Sequence, residues 1–166
     1  FTLGGTSSWG GPSNNDVTDG TGSTAGGTGA LQNNTGSNNT AFGGDALQAN
    51  TTGTGNVGVG PVALYNNTVG TGNIGIGLDA LNTNVAGSNA TAVGTGAMQY
   101  AGNTAAPFEN KNVAVGFQAL RGSTDASANT GNNNTAIGYQ SLSANTTGGV
   151  NVALGYKALF ANTTGM

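Results

Sequence analysis

The chain has 166 residues, a charged fraction of 5%, a formal net charge of −3 and a pI near 4.2. That length suits one domain or one quasi-linear array, and three Lys and Arg residues give no basic footprint for phosphates, so nucleic acid is not an expected partner. Cysteine and histidine are both absent, which removes disulfides, thiolate nucleophiles, the usual zinc ligands and the imidazole base, so no enzyme, cofactor or metal site is expected.

Residues 1–22 open the chain with "FTLGGTSSWGG", which has no Met, basic n-region or apolar h-region. A signal peptide is therefore expected to be gone already or never to have been present. The segment is rich in Gly, Ser and Thr, with Phe1, Leu3, Trp9 and Val17 as its few anchors. Two readings stay open. It is a leader or cap on its own chain, or it lies along a neighbouring subunit and adds a strand there, making those four residues inter-subunit contacts. Asp16 and Asp19 suit a turn better than a calcium site.

From Ser23 onward the sequence repeats. STAGGTGAL starts at Ser23, NTAFGGDAL at Asn39, NVGVGPVAL at Asn56, NIGIGLDAL at Asn73, ATAVGTGAM at Ala90, NVAVGFQAL at Asn112, NTAIGYQSL at Asn134 and NVALGYKAL at Asn151. The starts are 16, 17, 17, 17, 22, 22 and 17 residues apart. The unit is therefore about 17 residues, with longer coils at 90–111 and 112–133. Leu, Ile, Val and Phe total only 29 of 166 residues, which alone approaches a disordered composition. The periodicity decides for order.

Within each unit, positions two and four are mostly Thr, Val, Ile, Leu or Phe, an alternation that predicts a short strand with those side chains buried. Position three is Ala or Gly, which leaves the opposite face nearly bare and able to approach another backbone. Position five is Gly in every unit, suiting a bend. Positions eight and nine are Ala-Leu or close variants, and an Asn/Thr/Gly stretch such as "ANTTG" then turns the chain. Stretches such as "GDALQAN" contain good helix formers, but the glycine spacing leaves too little for stable helix; a single helical turn at Ala-Leu stays open. The predicted fold is all-β, a β-solenoid or β-roll of eight coils over 23–166 with like residues stacked about 4.8 Å apart.

Sparse chemistry decorates this array. Asn-x-Ser/Thr sequons at Asn33, Asn38, Asn50, Asn66, Asn89, Asn133, Asn145 and Asn162 are candidate glycosylation sites, against the alternative use of Asn and Thr as turn formers and stacked amide ladders. Phe117, Tyr139 and Tyr156 share position six in successive coils: an aromatic strip for glycan stacking if exposed, ladder packing if covered. Asp45 and Asp79 share position seven two coils apart, too far to share a proton or metal. "GTGNVGVG" recurs as a coil motif with no helix after it, so it does not predict phosphate binding.

The motif N-[TV]-A-[IVL]-G-x-x-A-L resembles the head repeats of trimeric autotransporter adhesins and similar repeats of phage tail-fibre and bacterial surface proteins. That resemblance covers residues 23–166 and implies a left-handed β-roll, while the longer unit and the separate first 22 residues depart from the family pattern. No run is apolar and long enough to cross a bilayer as a helix, and the low-charge Thr/Asn/Gly/Ser composition suggests an extracellular or cell-surface location. The last unit runs through "ANTTGM" without a cap. The leading expectation is a structural subunit of an extracellular filament or appendage, joining copies of itself head-to-tail through open coil ends or as a trimer. The alternatives are an adhesin head or tail-fibre module that binds glycans through the aromatic strip and the inserts at 99–111 and 121–133, and an ice-binding protein. The last lacks a regular Thr surface, since the turn threonines break at Val85.

Overall fold

The computed structural model describes residues 17–18 and 21–165. It is a β-solenoid of eight stacked coils. One three-residue strand per coil forms a parallel sheet: β2 (Thr24–Gly26), β3 (Thr40–Phe42), β4 (Val57–Val59), β5 (Ile74–Ile76), β7 (Thr91–Val93), β9 (Val113–Val115), β10 (Thr135–Ile137) and β11 (Val152–Leu154). Pairing is in register, like on like: Ala41 faces Gly58, Gly75 faces Ala92, and Ala136 faces Ala153. A ninth strand, β1 (Val17–Thr18), runs antiparallel on the outer edge of β2, with Val17 opposite Ala25. Two further strands, β6 (Gly87–Ser88) and β8 (Phe108–Glu109), pair as a small separate sheet. No α-helix occurs among the described residues, only a 3-10 turn at Ala126–Ala128.

The alternation predicted for the strands is present, but the buried face is the other one. Ala41, Ala92, Ala114 and Ala136 at position three are fully buried, whereas Ile74 and Ile76 at positions two and four face out and are 36% and 37% exposed. The reason is the thinness of the coil. A Cβ built on Gly58 would sit 3.3 Å from the Leu47 side chain and one on Gly75 would sit 3.1 Å from Leu64 Cγ, so the space between strand and position nine accepts only Ala or Gly. Reversing a strand by one residue exchanges its faces wholesale. The core is consequently a single file of Leu31, Leu47, Leu64, Leu81, Met98, Leu120 and Leu142, flanked by alanines at positions three and eight.

The segment after each strand is neither helix nor strand. Its glycine at position five takes φ between 117° and 134°, and a Cβ on Gly60 or Gly94 would lie 2.8 or 2.6 Å from the next coil's glycine backbone. No other residue fits that column. Position nine is also left-handed in all eight coils (Leu47 φ 52°, Leu81 φ 53°, Met98 φ 47°), as is position seven in Asp45, Val62, Asp79, Gln118, Gln140 and Lys157. These reversals redirect the amides. Gly43 and Asp45 N–H donate back to Gly26 and Thr28 carbonyls, while Leu47 and Ala49 N–H donate forward to Ala63 and Tyr65. The Ala-Leu segment thus alternates, with Ala46, Gln48 and Asn50 N–H donating three residues back within the coil and the amides between them donating to neighbouring coils, so no continuous helical ladder forms.

Asparagines, most of them buried, close the rest of most coils. Asn39, Asn56, Asn73 and Asn134 at position one accept the next coil's position-one N–H on Oδ1: from Asn56 (2.9 Å), Asn73 (2.9 Å), Ala90 (3.0 Å) and Asn151 (2.9 Å). A second file, Asn34, Asn50, Asn67 and Asn84, is linked amide to amide at 2.7, 2.8 and 3.2 Å. In five of the coils an asparagine from each side meets on one glycine carbonyl, at Gly53, Gly70, Gly87, Gly148 and Gly165: Gly70 O accepts from Asn56 at 2.8 Å and from Asn67 at 3.0 Å. Polar groups buried in this way must be paired. The repeated Asn therefore does the work that apolar residues do in a wider fold.

Candidate functional site

The outward face of the main sheet is the most unusual surface. Position two carries Thr24, Thr40, Val57, Ile74, Thr91, Val113, Thr135 and Val152; position four carries Gly26, Phe42, Val59, Ile76, Val93, Val115, Ile137 and Leu154. Neither file contains a charged residue. With eight strands about 4.8 Å apart, the face is roughly 34 Å long. Soluble monomers rarely expose a continuous apolar area of this kind, and natural sheets ordinarily interrupt it with charge. Phe42 lies over Gly26, where a Cβ would meet its ring at 2.5 Å, so the one glycine in the position-four file leaves room for the neighbouring ring. These outward residues were expected in the core, because their apolar character points inward in any fold thick enough to take them.

Position six extends the same surface through exposed Leu78, Phe117, Tyr139 and Tyr156. Phe117 and Tyr139 stack with centroids 5.3 Å apart and planes 14° apart, and Tyr139 and Tyr156 at 5.4 Å and 13°. The rings stack on one another while all three stay exposed, Tyr156 most at 73%. Lys157 Nζ lies 5.4 Å from the Tyr156 centroid and 5.3 Å from that of Phe160, a cation–π arrangement.

The sequons divide by burial. Asn50 and Asn145 are 0% and 3% exposed and donate Nδ2 to Gly53 and Gly148 carbonyls; neither has an amide accessible for a glycan in the folded coil. Asn66 and Asn162 are half-buried and also donate across coils, to Asn82 O and to Asn145 Oδ1. Asn33, Asn38, Asn89 and Asn133 are exposed. Three of these, Asn38, Asn89 and Asn133, hold the left-handed turn position just before a strand, with φ of 58°, 62° and 56°, a conformation that asparagine tolerates better than most residues.

The turn threonines are likewise engaged. Thr51, Thr68 and Thr146 hydroxyls donate to Thr68, Val85 and Thr163 carbonyls of the following coil at 3.0 to 3.1 Å. Asp45 and Asp79 each accept from a side-chain amide three residues on, Gln48 at 2.8 Å and Asn82 at 3.1 Å. Among the described residues no group of three His, Cys, Asp or Glu could hold a metal, and no helix is long and apolar enough to cross a membrane.

Of the four N-terminal anchors, Phe1, Leu3 and Trp9 lie outside the described residues. Val17 is in β1, whose backbone pairs with β2 of its own chain. The two longer coils put their additional residues on one side of the solenoid, where they enclose a groove of about 360 Å³ lined by Phe108, Glu109, Asn103 and Asn132 among others. Compared with protein-family models, with curated proteins and with solved structures, the chain finds no match.

Proposed function

We propose that this chain is a structural subunit of an extracellular filament or surface appendage, built by copies of itself that pack through the apolar sheet face and continue one another's coils at their ends. The observation that carries the reading is the uncharged face of β2–β11, with Phe42, Ile74, Ile76 and Ile137 at 36% to 40% exposure. An in-register parallel sheet presents side chains that repeat every 4.8 Å or so, a spacing that a second copy of the same face shares and can interdigitate with. The occupant that fits such a face best is another copy of it. The resemblance to surface-protein repeats points the same way. The low charge and the Thr, Asn, Gly and Ser content suit an external array.

The test combines sedimentation with negative-stain electron microscopy over a range of protein concentrations. Wild-type protein is expected to form oligomers or filaments, and Ile74→Lys with Ile76→Lys, which puts two charges in the face without touching the core, is expected to leave folded monomers or purely end-to-end species. Removal of residues 1–18 uncovers the β2 edge and is expected to increase end-to-end growth. A wild type that stays monomeric at every concentration, or lateral assembly that survives both lysines, overturns the proposal.

A further inference from the structure

The groove between the two inserts is separate from the sheet face and from the stacked rings. Its walls come from the segment around 102–109, which leaves the fifth coil and returns through β8, and from 123–132 in the sixth. Both walls are fixed. β8 pairs with β6, placing Phe108 opposite Gly87 and Glu109 opposite Ser88. The ring tip of half-buried Phe108 rests on Gly87 and Gly102, where an added Cβ would meet it at 2.6 and 3.4 Å. On the other wall, Asp125 Oδ1 accepts from Ser127 N–H at 3.1 Å and caps the 3-10 turn. Asn129 accepts from Ser123 N–H at 2.9 Å and donates to the Ser123 carbonyl at 2.8 Å and to that of Tyr100 in the previous coil, stitching the floor together.

The lining chemistry is specific. Phe108 offers a ring. Asn103 and Asn132 offer planar amides, Thr104 and Ser127 hydroxyls, and Glu109 a carboxylate. That carboxylate is held by its Oε2, from Asn89 Nδ2 at 2.8 Å and Lys111 Nζ at 3.5 Å, which leaves Oε1 as an acceptor. Lys111 is the cation nearest the carboxylate and is paired with it, so the groove does not favour phosphate or carboxylate ligands. Most of its accessible lining is apolar, with these few donors and acceptors set around it. A ligand that presents apolar C–H groups on one face and adjacent hydroxyls around its rim satisfies the ring, the amides and the carboxylate together. The volume of about 360 Å³ is at the small end for ligand sites, enough for one or two sugar rings.

We propose that this groove binds a neutral saccharide of one or two rings, so that a self-assembling array also displays a glycan-binding site once per chain. The test is a titration of isotope-labelled full-length protein, kept below its assembly concentration, with galactose, mannose, N-acetylglucosamine and cellobiose in turn, followed by amide chemical shifts. At least one sugar is expected to shift the amides of Asn103, Phe108 and Asn132 saturably. Phe108→Ala and Asn103→Ala are each expected to weaken that binding at least about tenfold; Phe108→Ala also lowers the melting temperature, because its ring packs on Gly87 and Gly102, whereas Asn103 is exposed and makes no hydrogen bond among the described residues, so its variant keeps the melting curve and separates binding from folding. No saturable shift at those amides with any of the four sugars, or shifts unaltered by both variants, overturns the proposal whatever the assembly behaviour of the chain.

Discussion

Asn67 donates its side-chain Nδ2 to Oδ1 of Asn50, 17 residues earlier and one coil below, at 2.8 Å, with both side chains fully buried. Asn67 also donates to Gly70 O and accepts from Asn73 and Asn84. Each asparagine in this file is therefore a cross-link between coils as well as the closure of its own turn. Coil spacing and coil shape are set by the same atoms.

Asn67→Ala removes two donated and two accepted bonds at once and leaves buried Asn50 Oδ1 without its donor, while Asn84 Nδ2 keeps only its bond to Gly87 O. The expected loss is about 2 to 4 kcal/mol, since buried polar groups left unpaired cost about 1 to 3 kcal/mol each and neighbouring partners recover part of it. Urea denaturation of the variant beside Asn33→Ala, whose asparagine is on the surface, checks this: equal midpoints for the two would contradict the ladder's role.

Left-handed positions give a pair of opposite effects. Val62 is a β-branched residue at φ 50° in a file that elsewhere holds Gly29 and Gly96. Val62→Gly is expected to raise stability by about 0.5 to 1 kcal/mol, the strain relieved being about 1 to 2 kcal/mol less the backbone entropy of glycine. Gly77→Ala, at φ 124° with its Cβ 2.7 Å from Gly94, is expected to lose more than about 3 kcal/mol or to fail to fold. Thermal melts of both variants would show shifts of opposite sign.

Tyr139 sits between Phe117 and Tyr156 in the stack. Tyr139→Ala removes two ring contacts, each contributing about 0.5 to 1.5 kcal/mol, and should cost about 1 to 3 kcal/mol, whereas Tyr156→Ala removes one and should cost about half as much. A double-mutant cycle with Phe117→Ala should return a coupling energy well above zero. A coupling indistinguishable from zero would mean that the rings contribute only as separate surface residues.

The period of the array, its eight coils, the two long ones and the glycine bends were all legible in the sequence, because stacking like on like imposes a repeat that one chain displays eight times over. The side of the strand that faces inward was not. Val57, Val59, Ile74 and Ile76 read as core by their chemistry, and only the distance from Gly58 and Gly75 to the leucine files shows that the interior has no room for them. The Asn sequons show the same limit: a sequon has the same letters at buried Asn50 as at exposed Asn133, and only the coil geometry separates a cross-link from a surface amide.

The insert groove goes further beyond local sequence, since Phe108 and Asn132 are 24 residues apart and belong to different coils. By itself, then, the sequence determined a stacked solenoid with a 17-residue period and a strict alternation along each strand. The tertiary structure decided which face is core, which asparagines cross-link and where the additional residues of two adjacent coils converge. Periodicity fixes what stacks on what along the array; the width of the coil, a property of several turns closing on one another, decides what can fit inside.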